Sequence, residues 1–483
     1  ARRLSLAPLD HAQIKQVLPK YAYSVYGAES EWGRTGRVFQ MKIDGKIRTI
    51  PEMGLKRAFA LGMTPEEITP IMQTAGNDLD KWMTALGAEA TKRATWPQKI
   101  ASYMTGNMLM GPKTQERNIV GNLVNLGTRV GTTPIQAGLE RLRGVPLAER
   151  TVMAGEVMPQ LRAMAKAVPQ SFEDFWQVMK KGYNPRVLAS TGGMDQARVE
   201  FKTGGKYNPW NVTGRMLEGM DGFFRTLSEE GEMAGRMYTL EKTAAAKGIT
   251  RGTPQWDAAV TATKSGAKES SARATFQEAP GFIVGGLLRM KNANPNMAPF
   301  WQSLIPFVKT PGNLLKQGLE WTPAGIVMKG ADASKVGQRA ATEVQARAAA
   351  GTLGMMSLWG LAGAGRLSGS GPSDPGEKAR LYESGWRPNS VKIGETWYNY
   401  GPIQPLAIPM TLVANAYEQV QKNTAEQTGE RDWAKVIGNT LLGTGRSILA
   451  QSFLSRVRGL VEALHDPERY GKTWASRTAQ SFV

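Results

Sequence analysis

The sequence predicts a mostly α-helical protein, an extended multi-helix assembly with one small β-hairpin near residues 391–400 and a possible second hairpin near 38–50. Three observations support this fold class. Most of the chain has apolar residues at three- and four-residue spacing, which is the period of an amphipathic helix. Several of these stretches begin with a capping residue or a proline. Strand-like alternation is confined to two short runs, each interrupted by a turn pair.

The first region, residues 1–100, alternates short amphipathic helices with polar turns, and its role is unassigned. Thr64 is a predicted N-cap, and Pro65 follows it at the first helical position. Between residues 38 and 51 an Asp-Gly pair separates two alternating runs, which predicts the second hairpin. The chain begins "ARRLSLAPLD", without the pattern of a secretory signal. We interpret that beginning as a processed product or a fragment of a longer polypeptide.

The middle of the chain is divided by a stretch rich in glycine, asparagine and proline. Residues 101–183 are a predicted helical region, with interruptions expected at Pro159 and Pro169. Residues 184–212 are a predicted loop or linker. Residues 213–347 are a long-helix region, and methionines at helical spacing in its first helix predict a buried helix–helix seam.

Residues 348–365 form an uncharged segment between Arg347 and Arg366. As a helix, these roughly 18 residues would span about 27 Å, just short of a bilayer core. Alanine and glycine dominate the segment, so its hydrophobicity is modest. Three interpretations are open: a fully buried helix, a helix that enters a membrane only after assembly or delivery, and an ordinary transmembrane anchor. The residues predicted to face the membrane are Leu353, Met356, Leu358, Trp359 and Leu361.

A polar linker and an aromatic hairpin occupy residues 371–402. Two short alternating runs in "SVKIGETWYNY" meet at Gly394-Glu395, which is compatible with a type II′ turn. Alternation places Trp397 and Asn399 on one face, and Tyr398 and Tyr400 on the other. Tryptophan and tyrosine are common at interfaces. The predicted interface residues are therefore Trp386, Trp397, Tyr398 and Tyr400, and the alternative is a hairpin that caps a helical core.

The last region, residues 403–483, is predicted to be helical, with helices at about 404–422, 431–441 and 445–465.

Charge and composition restrict the functional classes. The 483 residues carry a formal net charge of +19. This excess indicates a polyanionic partner such as DNA, RNA or an anionic lipid surface, or alternatively a charge that serves solubility. The chain has no cysteine and only two histidines, at positions 11 and 465, which excludes disulfides, thiolate zinc sites and histidine-rich metal sites. Common nucleotide-binding and metal-binding motifs are missing. The sequence therefore predicts no catalytic residues, no metal and no cofactor.

A basic helix face is predicted just before the uncharged segment, at about residues 331–347. Lys335, Arg339 and Arg347 are four and eight residues apart, which places them near one side of that helix. We expect these side chains to face DNA and to attract its phosphates without reading base sequence. The alternative is an ordinary solvated helix face.

Five segments carry a family resemblance, scattered over about residues 100–483. Their two most specific elements have the patterns P-F-x-K-T-P-x-N and G-W-x-P-x-S-x-K-I-G-x-x-W-Y, and neither is catalytic. The segments resemble the internal virion, or DNA-ejection, proteins of tailed phages, and the related C-terminal regions of very large polyvalent proteins in phages and prophages. They are "NMLMGPKTQERNIVGN" (107–122), "MDGFFRTLSEEGEMAGRMY" (220–238), "IPFVKTPGNLLKQGLEWTP" (305–323), "GSGPSDPGEKARLYESGWRPNSVKIGETWYNY" (369–400) and "LVEALHDPERYGKTWASRTAQSFV" (460–483).

The resemblance implies a function in genome delivery. Proteins of this kind are packed in the capsid near the portal and leave through the tail ahead of the genome. They then form part of a conduit for DNA across the host periplasm and inner membrane. The implied partners are phage DNA, bound through its phosphate backbone, other ejection proteins, portal or tail proteins, the host inner membrane, and further copies of the chain in a homo-oligomeric ring.

Two alternatives remain open. One is a virion scaffold that organises the portal or the packaged genome without membrane insertion. The other is a soluble nucleic-acid-binding protein of unrelated origin. Some members of the family are fused to a lytic transglycosylase or another enzyme, and the motifs of such a domain are not evident here.

Overall fold

The computed structural model is mostly helical, which confirms the predicted fold class. It describes residues 38–43, 46–51, 63–76 with scattered positions from 58 to 89, 112–181, 209–276, 309–328, 337–372 and 374–426, together with Thr440 and Thr444. The helices are α1 (Pro65–Ala75), α2 (Pro112–Leu142), α3 (Val157–Lys181), α4 (Pro209–Ala246), α5 (Pro254–Ala274), α6 (Lys309–Glu320), α7 (Ala324–Met328), α8 (Gln338–Gly363), α9 (Pro375–Glu383) and α10 (Ala407–Glu426). Two short 3-10 helices, Leu147–Glu149 and Ala154–Glu156, lie between α2 and α3.

The hairpin predicted near residues 38–50 is present. Strands β1 (Val38–Ile43) and β2 (Lys46–Pro51) pair in antiparallel register, with Ile43 opposite Lys46. That register leaves two residues for the connection, as an Asp-Gly turn requires. The start of α1 is also as predicted, since the Thr64 backbone N–H donates to the Glu67 carboxylate at 2.7 Å.

Among the described helices, α3 and α4 pack most extensively on each other, and glycine makes the approach possible. A Cβ atom at Gly219 would lie 2.8 Å from the Phe175 ring, and one at Gly235 would meet the Gln160 side chain. Gly231 faces Met164 in the same way. The predicted methionine seam is therefore only partly right. The methionines of α4 are half-buried, whereas its glycines form the tightest contact. Helix α4 also begins at Pro209, inside the predicted linker.

The predicted interruptions of α3 are absent. Pro159 lies in its first turn, where the missing N–H has no helical partner to lose. Pro169 lies inside the helix, which continues through it to Lys181. Pro169 is exposed, so the carbonyl that loses its donor lies on the side of the helix that water can reach. Extensive packing of α3 on α4 outweighs the local penalty of the proline.

Helix α8 joins two regions that the sequence predicts as separate units. It is one continuous helix from Gln338 to Gly363, so the basic stretch and most of the uncharged segment share an axis. The polar linker predicted at the start of residues 371–402 also contains a helix, α9. The Asp374 side chain accepts from the Glu377 backbone N–H at 2.8 Å, and Pro375 is the first helical residue. These are ordinary N-terminal signals, and the polar composition of the stretch masked them.

The second hairpin packs on the end of α8. Strands β3 (Ser390–Ile393) and β4 (Thr396–Asn399) pair as predicted, and the positive φ of 59° at Gly394 fits a type II′ turn. Val391 also bridges to Leu367 in the segment that follows α8. Beneath lies a core cluster made by α8, the hairpin and α10, with Ala362, Leu367, Tyr400, Ala407, Val413 and Ala414.

Helix α10 agrees with the prediction for residues 404–422. The helices predicted at 431–441 and 445–465 lie outside the described residues, apart from Thr440 and Thr444.

Candidate functional site

The interior where α2, α4, α5, α6 and α8 meet is charged. Five arginines and four glutamates contact one another there, and we call them the ion-pair cluster. Its members are Arg129, Glu156, Glu232, Arg236, Arg273, Glu320, Arg339, Glu343 and Arg347.

One half of the ion-pair cluster centres on Arg339. Its two terminal nitrogens donate to the two oxygens of Glu156, at 2.6 and 2.9 Å. Such a forked pair is the strongest arrangement available to arginine. Glu156 is completely buried and also accepts from the Thr239 hydroxyl. The pair joins α8 to the 3-10 helix before α3 and to α4.

The other half centres on Arg347, whose side chain has no exposure to solvent. It donates to Glu320 of α6 at 2.8 Å and to Glu343 of its own helix at 2.6 Å. Arg273 of α5 also contacts Glu320. Arg129 of α2 connects the two halves, because it lies 3.3 Å from Glu232 and 3.1 Å from Glu343.

Two carboxylates of the cluster, Glu232 and Glu343, stay ionised. Burial opposes the ionisation of Glu232, but three surrounding guanidinium groups, of Arg236, Arg339 and Arg129, lower its pKa to about 2. Burial acts on Glu343 in the same way, and Arg129 and Arg347 hold its pKa well below the usual range. Arg339 loses hydration on burial, yet the charge of Glu156 raises its pKa. For these three groups, burial disfavours the charged form and the neighbouring opposite charges restore it.

This geometry corrects the prediction that Arg339 and Arg347 face DNA. Arg339 and Arg347 do lie on one side of α8, but that side faces the interior, and carboxylates occupy both guanidinium groups. They do not offer their charge to phosphates in this structure. Lys335 lies outside the described residues. The sequence did contain one signal of this arrangement. Glu343 is four residues from each arginine, so it lies between them on the same helix face and can pair with them.

Helix α2 buries a polar stripe instead of an apolar one. Its most enclosed side chains recur at three- and four-residue spacing. Asn125 donates to the Ala274 carbonyl at 2.7 Å, at the end of α5. The stripe consists of Asn122, Asn125, Arg129, Thr132, Thr133, Gln136 and Glu140.

Three amides from distant helices close the C-terminal end of α5. Besides Asn125, Gln317 donates to the Arg273 carbonyl at 2.8 Å, and Asn313 donates to the Phe276 carbonyl at 2.9 Å. Phe276 has a φ of 58°, a left-handed conformation that a bulky residue adopts only when its surroundings hold it. Asn313 is the asparagine of the P-F-x-K-T-P-x-N element, so at least one residue of that element has a structural role.

The C-terminal half of α8 presents apolar side chains to solvent. Leu353 and Met356 are 66% and 69% exposed, and Trp359 and Leu361 are 41% and 37% exposed. Leu358 is different, since it packs against the core cluster. The segment is thus neither fully buried nor uniformly exposed. Among the described residues, none of the helices has the length and apolar character needed to cross a bilayer.

The predicted interface residues of the hairpin have divergent environments. Tyr400 is buried and donates to the Ser368 carbonyl at 2.9 Å, and burial raises its pKa. Trp386 covers Gly371, and Trp397 is half-buried. Tyr398 is 55% exposed, so of these two tyrosines only Tyr400 lies in the core. Val391 and Tyr400 pack in the core cluster, whereas Ile393 and Tyr398 are exposed, so the hairpin has both a core side and a free surface.

In the described part of the chain, no group of three or more histidine, aspartate or glutamate side chains is placed so that it could bind a metal ion. No family model, no curated protein and no solved structure matches this sequence.

Proposed function

We propose that this chain is an internal virion, or ejection, protein of a tailed phage. It would be packed in the capsid near the portal and ejected into the host, where it forms part of a trans-envelope conduit for the genome. The proposal starts from the sequence resemblance. The resembling segments supply much of the interior: 220–238 carries Glu232 and Arg236 of α4, and 305–323 carries Asn313 and Glu320 of α6.

The main support for the proposal is that the two halves of α8 differ in their surroundings. Its first half is buried among charges, and its second half is uncharged and exposes Leu353 and Met356. A chain of this kind stays folded in water and still offers an apolar surface to lipid after delivery. Segment 348–365 would then contact the host inner membrane without the need to span it in the folded state described here.

The nature of the interior also supports the proposal. Buried ion pairs add little net stability compared with apolar packing of the same volume. An interior of ion pairs and amides therefore suits a chain that has to lose its tertiary structure to leave through a phage tail. Charged and amide side chains that are released on unfolding remain well hydrated, so the open chain has less tendency to aggregate.

The remaining positive charge supports contact with DNA. The ion-pair cluster accounts for only one unit of the net charge of +19, since it holds five arginines and four glutamates. Nearly all of the excess therefore lies outside the cluster, and a net positive charge of this size attracts phosphates. The alternative function, a virion scaffold without membrane insertion, would use the same charge but not the exposed half of α8.

Co-sedimentation with anionic vesicles separates the two functions. We would compare the wild-type chain with a Leu353→Lys, Met356→Lys variant, since both residues are exposed and their replacement leaves the core intact. Leu358 is unsuitable because it packs on the core cluster. A matched control, Gln255→Lys with Gln338→Lys, adds the same two charges at exposed polar positions of α5 and α8.

The ejection proposal requires that the wild type and the control bind vesicles and release trapped dye, while the Leu353→Lys, Met356→Lys variant binds more weakly and releases no dye. Equal behaviour of all three chains would remove the membrane role of α8 and leave the scaffold as the better proposal.

A second experiment addresses the virion itself. Quantitative mass spectrometry should find the chain in purified particles and, after adsorption, in the host envelope fraction; retention in the emptied particle would contradict ejection.

A further inference from the structure

Helix α3 presents four large apolar side chains to solvent. Met158, Leu161, Phe172 and Trp176 are 53%, 46%, 53% and 54% exposed. Its buried side is small or polar for the most part and consists of Gln160, Ala167, Ser171, Asp174 and Val178. Met164 and Phe175 pack on glycines of α4, but the four exposed residues form an apolar surface on the side that an ordinary surface helix keeps polar.

The geometry of α3 separates the two sides clearly. At about 100° per residue, the exposed apolar residues centre roughly 140° away from the buried ones. They extend from Met158 to Trp176, a length of about 27 Å at 1.5 Å per residue. Phe172 is held by an edge-to-face contact with Phe223 of α4, with ring centroids 5.0 Å apart. We call Met158, Leu161, Phe172 and Trp176 the α3 apolar face.

A basic flank runs beside the α3 apolar face. Arg162, Lys166 and Lys180 are exposed and lie roughly 40° to 80° around the helix from Met158 and Trp176. Glu173 is the exposed acidic residue on the same flank. Long basic side chains can extend their charge to an anionic surface while the neighbouring apolar groups enter it.

We propose that the α3 apolar face binds an anionic lipid surface, with the helix lying in the plane of the membrane interface. The combination of tryptophan, phenylalanine and aliphatic side chains with a lysine- and arginine-rich flank is that of an interfacial helix. Trp176 sits at the level of the headgroups, and Leu161 and Met158 reach the acyl boundary. This proposal rests on α3 alone and does not depend on a phage origin or on α8.

Two other partners fit the α3 apolar face less well. A second copy of the chain would bring Arg162, Lys166 and Lys180 against the same three charges, which is repulsive. Single-stranded nucleic acid would stack on Phe172 and Trp176 and use the basic flank. It would, however, leave Met158 and Leu161 without a partner, whereas a lipid surface contacts all four side chains.

The test is vesicle binding by the full chain. The probes are vesicles of phosphatidylcholine alone and vesicles with about a third of phosphatidylglycerol. Leu161→Gln with Trp176→Gln removes two apolar residues from the solvent side of α3, and Arg162→Gln with Lys166→Gln removes two charges of the flank. The matched control, Leu142→Gln with Ile326→Gln, removes two exposed apolar residues from α2 and α7. Thermal melts verify that each variant is folded.

We expect the wild type to prefer the anionic vesicles. Leu161→Gln with Trp176→Gln should weaken the partition coefficient about tenfold or more, and the control should leave it unchanged. The Arg162→Gln, Lys166→Gln variant should lose binding at low salt and differ little from wild type at high salt. Equal binding to both kinds of vesicle, or equal loss in the control, would overturn the proposal.

The same variants identify the competing partners. Analytical ultracentrifugation would favour a second copy if Leu161→Gln with Trp176→Gln dissociated an oligomer without changing vesicle binding. A fluorescence titration with single-stranded oligonucleotide would favour nucleic acid if that variant lost oligonucleotide affinity alone. Either result would overturn the assignment to lipid. Loss of vesicle binding in the α8 variant alone would leave α3 without a role at the membrane and would also contradict it.

Discussion

Two arginines of the interior are equally enclosed but have different surroundings. Arg347 has no solvent exposure and donates to two carboxylates, Glu320 and Glu343. Arg225 of α4 is 3% exposed, and within the described structure none of its guanidinium nitrogens has a hydrogen-bond partner. Burial lowers the pKa of Arg225 to about 10, opposed in part by acidic residues of the same helix. A single residue type is therefore a structural link at one site and an unsatisfied group at the other.

Replacement by methionine should change the free energy of unfolding differently at these two arginines. Arg347→Met removes the partner of two buried carboxylates, so we expect the free energy of unfolding to fall by about 3–5 kcal/mol. Arg225→Met removes a desolvated charge that no hydrogen bond compensates, so we expect stability to stay level or rise by about 1–3 kcal/mol. Urea denaturation followed by circular dichroism measures both changes.

The exposed pair of Arg251 and Glu241 supplies the control. The Arg251 side chain is 73% exposed, and Arg251→Met should change the stability by less than about 1 kcal/mol. If Arg225→Met were as destabilising as Arg347→Met, its guanidinium would have to contribute packing or contacts that outweigh its desolvation.

Acid should weaken the protein through Glu232. The pKa of Glu232 is lowered from 4.5 to about 2 on folding. A carboxyl whose pKa is lowered binds more protons in the unfolded state. Its contribution, on the order of 3 kcal/mol, is therefore complete above about pH 4.5 and is lost as the pH falls towards 2. Urea midpoints between pH 7 and pH 2.5 should fall most steeply below pH 4.5.

The variant Glu232→Gln tests that assignment. It cannot ionise, so it should be less stable at neutral pH and should show a shallower fall in stability between pH 4.5 and pH 2.5. An acid-dependent loss as steep as that of the wild type would place the titration in other carboxyl groups.

At the scale of the elements, two glycines of α8 distinguish a helix contact from an open surface. A Cβ atom at Gly351 would collide with the backbone carbonyl of Trp321, just after α6. At Gly354, one turn further, a Cβ atom would meet no atom within 4 Å. Helix α8 thus approaches the end of α6 closely at Gly351, where only a residue without a side chain fits, and not at Gly354.

Alanine at these two positions should have opposite effects. Gly351→Ala forces α8 away from Trp321 and should destabilise the protein by about 1–3 kcal/mol, the range for overpacked sites. Gly354→Ala improves the intrinsic helix propensity and should stabilise it by about 0.5–1 kcal/mol. Thermal unfolding under identical conditions measures the difference. Equal shifts for both variants would contradict the close approach of α8 to Trp321.

The sequence predicts the elements of this protein better than their orientation. Apolar periodicity and capping residues are local, so α1, α4, α10 and both hairpins could be predicted. The inward direction of Arg339 and Arg347 could not, because Glu343 alone does not distinguish a buried pair from a solvated one and the other partners, Glu156 and Glu320, are distant in sequence. Basic residues are usually solvated, so a periodicity argument assigns them outward. The same bias concealed the α3 apolar face, since apolar spacing on a helix is normally attributed to the core.

The whole molecule combines a charged interior with an excess of positive charge outside the ion-pair cluster. If that excess serves DNA, binding should depend on ionic strength and not on base sequence. We expect the association constant for a 30-base-pair duplex to fall by about a hundredfold or more between 50 and 200 mM salt. Duplexes of different sequence should give the same slope in filter-binding or anisotropy titrations. A salt-insensitive affinity would count against a DNA role.

The amide closure of α5 has a consequence for synthesis on the ribosome. Asn125 of α2 donates to residue 274, and Asn313 of α6 donates to residue 276, while Arg339 reaches back to Glu156. None of these bonds can form until the later partner has left the ribosome. Because α2 bears asparagine, threonine and arginine on its inner side, the unfinished chain presents a hydrated helix during this interval. The inner side of α2 can therefore wait for its later partners with little tendency to aggregate.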